Sequence, residues 1–304
     1  GEIHCLVGEN GSGKSTLIKI IGGVLKPDNG EIRINGKFFS PGHAIDSIRK
    51  GIQIIYQDLS IFPNLSVAEN ISLNQLLEKG NKFVGKKTVL KTAEKALKEI
   101  EEELDLYAKV ENLSMSKRQI VAISRALTQN ARLIIMDEPT TAITKAEVDH
   151  LFSVIMRLKK KGIATLFVSH KLGEIFEIAE YVTIIRDGAK IGDYFAGELD
   201  NSRLTFLMTG EKIDATTYRR DREKFSNDYF LEVKNLNRKG HYNNINFSIK
   251  RGDILGITGL IGSGRTELAL SLFGLNKPDS GEIILDGNPV SIQSAEEAMR
   301  LGIG

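Results

Sequence analysis

The chain has 304 residues, which is enough for two domains of ordinary size. Its hydrophobic content of 41%, charged content of 26% and net charge of +2 are typical of a soluble globular protein and exclude a strongly basic nucleic-acid-binding protein. The single cysteine, Cys5, excludes an internal disulfide, the 5 scattered histidines form no metal-ligand cluster, and no apolar stretch is long enough for a transmembrane helix.

The first feature along the chain is a glycine-rich loop between a predicted strand and a predicted helix. Residues Gly8–Thr16, GENGSGKST, match the pattern G-x-x-x-x-G-K-[ST], and we call them the first phosphate loop. The apolar run Ile3–Val7 predicts a buried parallel strand, and the periodic run Thr16–Ile21 predicts a helix. The alternative is a glycine turn that carries a lysine by chance, and the flanking strand and helix argue against it.

The residue types of the first phosphate loop suit a nucleotide phosphate tail. Its glycines let backbone N–H groups turn toward phosphate oxygens without a Cβ clash, and the helix start adds its positive dipole end. Lys14 would reach the β- and γ-phosphates, and the Ser15 hydroxyl would bind Mg²⁺. The predicted nucleotide-binding residues are Gly8, Glu9, Asn10, Gly11, Ser12, Gly13, Lys14, Ser15, Thr16 and, from a later loop, Gln57.

Short strands and helices alternate through the next part of the chain. Gly30–Gly36 predicts a strand that ends in an Asn-Gly hairpin turn. Residues 66–129 are predicted to be mostly helical, with a capping box at Ser66 and Glu69 and a solvated helix face within Lys86–Leu106. Further strands are predicted at residues 52–56, 132–136, 162–168 and 181–186. The alternation predicts an α/β fold with a mostly parallel sheet covered by helices.

Four candidate positions lie just past the ends of predicted strands: Gly8, Gln57, Asp137 and His170. Because ligands of open α/β sheets bind at the carboxyl ends of the strands, we expect these positions to form one site. An acidic pair in an ordinary turn and a histidine without a ligand are the alternatives, and the shared placement argues against both.

Phosphoryl transfer needs a phosphate cradle, a metal, a positioned water and charge stabilisation. Asp137 is placed to hold Mg²⁺ through water, and Glu138 would polarise the attacking water as general base. Gln57 could bind Mg²⁺ and the water, and His170 could contact the γ-phosphate. We therefore predict Glu138 and His170 as catalytic residues and Ser15, Gln57 and Asp137 as metal ligands.

A long repeat organises the whole chain. Residues 252–304 align with residues 1–53 without a gap, and strand patterns at Phe230–Val233 and Ile245–Ile249 precede the second copy. The repeat predicts a first domain at 1–213 with a helical subdomain at about 64–130, a polar linker at 214–227, and part of a second domain at 228–304. Since the chain begins inside a strand and the second copy stops early, we expect it to be truncated at both ends.

The ordered motifs resemble those of the ATP-binding-cassette ATPases, which have a P-loop NTPase fold. LVGENGSGKST resembles the Walker A loop, Tyr56-Gln57-Asp58 the Q-loop, LIIMDEPT the Walker B motif, and Val168-Ser169-His170 the switch histidine. The signature motif would stand at Leu113, Ser114, Met115, Ser116 and Lys117. Thr141–Thr144, Arg186-Asp187-Gly188 and the loop GLIGSGRTEL resemble the branch of monosaccharide importers of the ribose, galactose and xylose type, which fuses two cassettes in one chain.

The resemblance implies an ATPase that binds ATP and Mg²⁺ and powers sugar import. Its partners would be transmembrane permease subunits, an external (periplasmic or extracellular) sugar-binding protein and a second cassette, in the same chain or in a second copy, with no nucleic acid. It would lie in the cytoplasm on the inner face of the membrane. Ile61–Leu65 would form much of the groove for the permease loops, although Ile61 and Phe62 could instead be ordinary core residues.

The chain departs from the family pattern at two places. The second phosphate loop, with Gly259, Gly262, Ser263, Gly264, Arg265 and Thr266, has arginine in place of the lysine, and Ser116 replaces the second glycine of the signature. Because arginine is a bulky planar fork, this exchange is not conservative. By family analogy each loop faces the other cassette's signature, so both changes would fall in one composite site, leaving one competent and one degenerate ATP site.

Two other functions remain open from the sequence. A soluble twin-cassette protein that acts on ribosomes or DNA would favour two intact loops, a strongly basic linker or a long coiled coil, none of which the sequence has. A regulatory module that binds ATP without hydrolysing it would not need Glu138. The sequence leaves the imported sugar open.

Overall fold

The structure is a computed structural model that describes residues 1–78, 85–141, 143–211, 228–260 and 262–304. The chain divides into two compact units, Gly1–Asp214 and Ala215–Gly304. The predicted linker, residues 214–227, lies outside the described residues. Within the described ranges, every helix is too short or too polar to span a lipid bilayer.

The first unit alternates strands with helices along the chain. Its strands are β1 (Ile3–Val7), β2 (Ile32–Ile34), β3 (Lys37–Phe39), β4 (Ile52–Ile55), β5 (Leu133–Asp137), β6 (Ala164–Val168), β7 (Tyr181–Arg186) and β8 (Ala189–Phe195). Its α-helices are α1 (Lys14–Ile21), α2 (Ala44–Arg49), α3 (Val67–Glu78), α4 (Lys86–Glu99), α5 (Met115–Leu127), α6 (Lys145–Lys160), α7 (Leu172–Ile178) and α8 (Asn201–Thr209). Short 3₁₀ turns occupy Val110–Asn112 and Ala196–Glu198.

A six-stranded sheet in the order β4-β5-β6-β1-β7-β8 forms the centre of the first unit. All neighbouring strands run parallel except β7 and β8, which form an antiparallel hairpin. The predicted α/β class and mostly parallel sheet are confirmed, whereas β8 was not predicted. The parallel strands bring the carboxyl ends of β1, β4, β5 and β6 to one edge of the sheet.

Both faces of this sheet are buried. On β5, Ile134 and Met136 point into the larger core cluster, and Ile135 between them points into a second cluster that contains Ile18 of α1. This alternation follows from the two-residue period of a strand. Helices therefore cover both faces, which is the usual arrangement of a parallel sheet.

The helices α3, α4 and α5 pack against one another beside the sheet. The capping box that starts α3 is confirmed, because Ser66 and Glu69 exchange side-chain and backbone hydrogen bonds. The predicted charged helix within Lys86–Leu106 is α4, which ends at Glu99 and does not continue to Leu106. Glu101 takes a left-handed φ of 56°, and the N–H of Glu102 donates to Leu97 O at 3.1 Å, which closes the helix end.

The predicted Asn-Gly turn is confirmed as the connection between β2 and β3. Asn35 has φ 50° and Gly36 has φ 75°, the two left-handed positions of a tight type I′ hairpin. The register pairs Ile34 with Lys37 directly across the turn.

The second unit contains a four-stranded sheet in the order β10-β9-β11-β12. Its elements are β9 (Tyr229–Arg238), β10 (Tyr242–Lys250), α9 (Arg265–Leu272), β11 (Ser280–Leu285), β12 (Asn288–Val290) and α10 (Ala295–Arg300). The gap-free repeat pairs α9 with α1, β11 and β12 with β2 and β3, and α10 with α2. The two copies therefore share the elements that follow each phosphate loop.

The two copies differ at the segment before the phosphate loop. Ile3 on β1 is 1% exposed, whereas Ile254 at the equivalent position is 86% exposed and lies outside any strand. The backbone of β1 is hydrogen-bonded on both sides, by β6 and β7. The sheet of the second unit is antiparallel throughout its described residues.

Candidate functional site

The first phosphate loop curves between the end of β1 and the start of α1. Gly11 and Gly13 have φ of 83° and 102°, in the left-handed region that favours glycine. Gly13 also precedes the first turn of α1, which has no side-chain cap, so its N–H groups are available to an anion. The N–H of Gly188, in the β7–β8 turn, donates to Ser12 O at 3.2 Å and holds the loop.

Lys14 is buried inside the first phosphate loop, where it is 6% exposed. Its Nζ donates to the carbonyl oxygens of Gly8 and Glu9, both at 2.8 Å, and approaches Ser12 Oγ at 3.4 Å. Burial lowers the pKa of the Lys14 ammonium, and the charges of Glu138 and Asp137 oppose this shift. Among the described residues Lys14 has no ion-pair partner within 4 Å, so neutral carbonyl groups hold a cation that an anionic ligand could engage.

Asp137 and Glu138 form an acidic pair at the end of β5. Burial, followed by the neighbouring charge of Glu138, raises the pKa of Asp137. Glu138 Oε1 lies 2.9 Å from His170 Nδ1, which follows β6. Because β5 and β6 are adjacent and in register at Asp137 and Val168, the sheet itself brings the carboxylate and the imidazole together.

The backbone of Glu138 has an unusual conformation. Its φ of 47° lies in the left-handed region, which costs a non-glycine residue on the order of 1–3 kcal/mol. The N–H of Glu138 donates to Val168 O at 3.0 Å, and Glu138 O accepts from Thr141 N–H at 3.3 Å. These bonds hold the backbone of the turn whose carboxylate lies 2.9 Å from His170 Nδ1.

A buried polar network lies directly behind the acidic pair. The carboxylate of Glu174, on α7, accepts hydrogen bonds from the hydroxyls of Thr140 and Ser169 and pairs with Lys171. Sequence reasoning missed these residues because a glutamate in the first turn of a helix is an ordinary helix-start signal. No signal in the sequence indicates that this carboxylate is buried.

Gln57 is exposed in the turn that follows β4. Its neighbour Tyr56 is half-buried, and burial raises its pKa, followed by the charge of Asp137 and then that of Asp58. Since β4 is paired with β5 in parallel, Gln57 lies at the same sheet edge as Asp137.

Further along this loop, Phe62 is 50% exposed. Its backbone N–H donates to Asn70 Oδ1 at 2.8 Å, and its carbonyl oxygen accepts from Asn70 Nδ2 at 2.9 Å.

The predicted signature, Leu113–Lys117, lies at the start of α5. The Ser114 hydroxyl caps this helix by accepting from Lys117 N–H at 3.4 Å, and Ser116 is buried. Within the described parts of the chain, no hydrogen bond or ion pair joins this segment to the first phosphate loop, Glu138 or His170.

The second phosphate loop keeps the two left-handed glycines of the first one but does not bury its cationic side chain. Gly262 and Gly264 have φ of 81° and 86°, and Ser263 N–H donates to Leu260 O at 3.1 Å, as Ser12 N–H donates to Glu9 O. Arg265 is exposed, and its Nη2 reaches Leu260 O only at 3.5 Å. The residue between them, 261, lies outside the described residues.

An open cleft of about 520 Å³ lies beside the first phosphate loop. It is lined by Glu9, Asn10, His170, Leu172, Thr205, Met208 and Thr209. His170 therefore lies at the boundary between the acidic pair and an accessible cleft.

The residues of this edge fit a nucleotide with Mg²⁺. Uncapped N–H groups, left-handed glycines and Lys14 suit phosphate oxygens, while the exposed Ser15 hydroxyl and the Asp137 carboxylate are oxygen ligands of the kind that Mg²⁺ prefers. The described residues contain no cluster of three or more acidic, histidine or cysteine side chains that could hold a metal by itself. Mg²⁺ is commonly bound by one or two protein oxygens together with substrate phosphates, and Ser15 and Asp137 could supply such oxygens.

Comparison with known proteins adds an independent finding. The family model described as "ABC transporter" matches residues 1–141 and 242–304. The ribose import ATP-binding protein RbsA of Clostridium perfringens strain 13 is 44% identical over 306 residues, covering 100% of this chain and 60% of that protein. RbsA of Lacticaseibacillus paracasei is 39% identical over 304 residues, again covering 100% of this chain and 60% of that protein. The chain thus spans about 60% of the length of these relatives.

Solved structures show the same fold. CbiO1 from Clostridium perfringens, part of the ABC transporter complex CbiONQ, aligns with a TM-score of 0.57 and 26% identity over 65% of this chain and 78% of that one. An ATP-binding cassette of an ABC transporter, crystallised in its ADP conformation, aligns with a TM-score of 0.59 and 26% identity over 70% of this chain and 85% of that one.

Proposed function

Since the chain belongs to the ABC transporter family, we propose that it is the ATP-binding and ATP-hydrolysing subunit of a sugar importer. The observation that carries this proposal is the placement of the buried Lys14 and the Glu138–His170 pair at one edge of the sheet. The relatives named above are ribose import ATP-binding proteins, which supports a monosaccharide or a related solute as cargo. These names give no support to a protein that acts on ribosomes or DNA.

The first phosphate loop would bind the phosphate tail of ATP. Lys14 would exchange its two carbonyl partners for phosphate oxygens, a change that replaces neutral acceptors by charged ones and strengthens each hydrogen bond. The left-handed glycines and the first turn of α1 would supply backbone N–H groups around the same oxygens.

Ser15, Asp137 and Gln57 are the residues that would hold Mg²⁺ here. The ion would supply charge neutralisation on the phosphate oxygens. The raised pKa of Asp137 has burial as its first cause, so a cation beside this carboxylate would favour its ionised form.

Glu138 would act as the general base toward the attacking water. Its carboxylate would accept a proton from that water, and His170 would keep Glu138 Oε1 in place through its ring nitrogen. Phosphoryl transfer depends mainly on positioning and electrostatics, so a fixed carboxylate beside the γ-phosphate is the part that this chain must supply.

The partners that we propose follow from the import function. Membrane-spanning permease subunits would dock on the cassette, and the half-exposed Phe62, whose backbone is hydrogen-bonded to Asn70, is available for this contact. A sugar-binding protein on the other side of the membrane would deliver the solute. The chain would then work at the cytoplasmic face of the membrane, and the permease and binding protein would select the sugar.

We further propose that the two phosphate loops are unequal. Lys14 is buried within hydrogen-bonding distance of its own loop, whereas Arg265 is exposed and weakly held. Because an arginine fork cannot occupy the position of a slim ammonium group, the second loop would bind nucleotide without the same catalytic competence. The first cassette would carry the hydrolytic site, and a second cassette would complete the protein.

Substitution of the general base tests this function. In the complete protein with its membrane partners, Glu138→Gln should keep ATP binding and lower phosphate release about 10²- to 10⁴-fold. Glu147→Gln, which changes a cap of α6, is a matched control that should keep turnover. Phosphate release at the wild-type rate in the Glu138→Gln protein would contradict the assigned role.

A further inference from the structure

Glu174 is a buried carboxylate at the start of α7. The residue is 8% exposed, although charged groups are rarely buried unless they are paired and hydrogen-bonded. Its Oε2 accepts hydrogen bonds from Thr140 Oγ1 at 2.6 Å and from Ser169 Oγ at 2.9 Å. Both hydroxyl-bearing residues are themselves 2% exposed, so these bonds are shielded from water.

Lys171 completes the network on the other carboxylate oxygen. Its Nζ lies 3.0 Å from Glu174 Oε1 and also donates to Thr140 O at 2.9 Å. The backbone N–H of Lys171 donates to Ser169 Oγ at 3.1 Å. Each of the four residues therefore contacts at least two of the others, which gives a connected network rather than isolated pairs.

The members of this network flank the proposed catalytic pair along the chain. Thr140 lies two residues after Glu138, while Ser169 and Lys171 lie immediately before and after His170. The Glu174 carboxylate thus hydrogen-bonds both to the turn that contains Glu138 and to the loop that contains His170. The left-handed backbone of Glu138 is a strained conformation of the kind that persists only where the surrounding structure holds it.

We propose that Glu174 is a positioning residue for ATP hydrolysis, because its carboxylate joins Thr140 to Ser169 and so fixes the separation of Glu138 and His170. This role rests on the proposed ATPase function. It requires no contact between Glu174 and the nucleotide. Glu174 acts on turnover and leaves nucleotide binding, which depends on the first phosphate loop, unchanged.

Steady-state ATP hydrolysis by the complete protein in its transporter complex tests this role. Glu174→Ala should lower kcat by about 10- to 100-fold, since a displacement of a reacting group by about 1 Å can cost about 100-fold. The KM for ATP should stay within about twofold of the wild-type value. Glu174→Gln keeps one oxygen for the two hydroxyls but loses the ion pair with Lys171, so its kcat should lie between those of Glu174→Ala and the wild type.

Two further variants separate positioning from folding. Glu177→Gln makes the glutamate-to-glutamine change at an exposed position of the same helix, where Glu177 pairs with Lys145. This variant should keep the wild-type kcat. Thr140→Val removes one hydroxyl while it preserves the buried volume, and it should lower kcat about threefold to tenfold without changing KM. If Glu174→Ala does not fold, the kcat of Thr140→Val tests the positioning role instead.

The outcomes distinguish this proposal from the one on which it rests. Wild-type kcat in Glu174→Ala or in Thr140→Val, or a loss of kcat matched by an equal loss of ATP affinity, would overturn the positioning role alone. A wild-type protein that binds ATP and releases no phosphate would overturn the ATPase function and this role with it.

Discussion

Asp137 lies at the sheet edge that carries the candidate site, and the burial of its carboxylate affects stability. Its carboxylate is half-buried beside Glu138, and burial is the first cause of its raised pKa. A carboxyl whose folded-state pKa exceeds its unfolded value contributes stability below the unfolded pKa, and this contribution is lost as pH rises through the folded pKa. At neutral pH the ionised Asp137 therefore destabilises the fold when no cation is bound.

Asp137→Asn should stabilise the protein by an amount that grows as pH rises, because asparagine cannot ionise. Urea unfolding without Mg²⁺ and nucleotide should give the variant a larger gain in unfolding free energy at pH 7 than at pH 4. Asp28→Asn, at an exposed loop position, provides the control and should show no such growth. An equal gain for Asp137→Asn at both pH values would refute the destabilising role of the ionised carboxylate.

Single residues differed in how far the sequence could predict their position. Asp137 and His170 could be placed at one edge because each follows an apolar strand, and the sheet brings Glu138 within 2.9 Å of His170. Their chemical roles stay predictions. Glu174 could not be found in this way, since the two hydroxyls that it accepts hydrogen bonds from lie 5 and 34 residues away and meet it only after α7 packs.

The start of α3 shows what a local sequence pattern can specify at the scale of an element. Ser66 N–H donates to Glu69 Oε2 at 2.8 Å, and Glu69 N–H donates to Ser66 Oγ at 3.3 Å. The hydrogen bond from the Ser66 hydroxyl is the first cause of the lowered pKa of Glu69. All atoms involved lie within four residues, so no tertiary information is needed to predict the cap.

Ser66→Ala should lower the free energy of unfolding by about 0.5–2 kcal/mol, which is the usual cost of losing a helix cap. Chemical denaturation of the purified protein measures this loss directly. Ser202→Ala, at an exposed position in α8, makes the same chemical change and should have little effect. Equal stability of the two variants would mean that the capping box does not stabilise α3.

Other elements depended on contacts that the sequence does not display. The charged helix α4 ends at Glu99 because Glu101 turns the chain, and Glu102 then pairs with Arg157 on α6 at 2.8 Å. The edge strand β8 was missed because its polar residues do not mark it as core. The apolar segment around Ile254 has the composition of β1 but lies outside any strand.

At the scale of the whole molecule, the two copies of the sequence repeat contain phosphate loops with different cationic side chains, Lys14 in the first and Arg265 in the second. Both loops keep the left-handed glycines before their helices, α1 and α9. Only the first places its cation inside the loop, where Lys14 donates to Gly8 O and Glu9 O. We therefore propose that the first phosphate loop, together with Glu138, is the site of ATP hydrolysis.

Phosphate release by the complete protein, compared between Lys14→Ala and Arg265→Ala, tests that claim most directly. Lys14→Ala should abolish most turnover, because it removes the cation that would bind the β- and γ-phosphates. Arg265→Ala should retain most of the wild-type rate, since Arg265 is exposed and weakly held. Equal losses in the two variants, or a greater loss in Arg265→Ala, would mean that the first phosphate loop is not the principal site of hydrolysis.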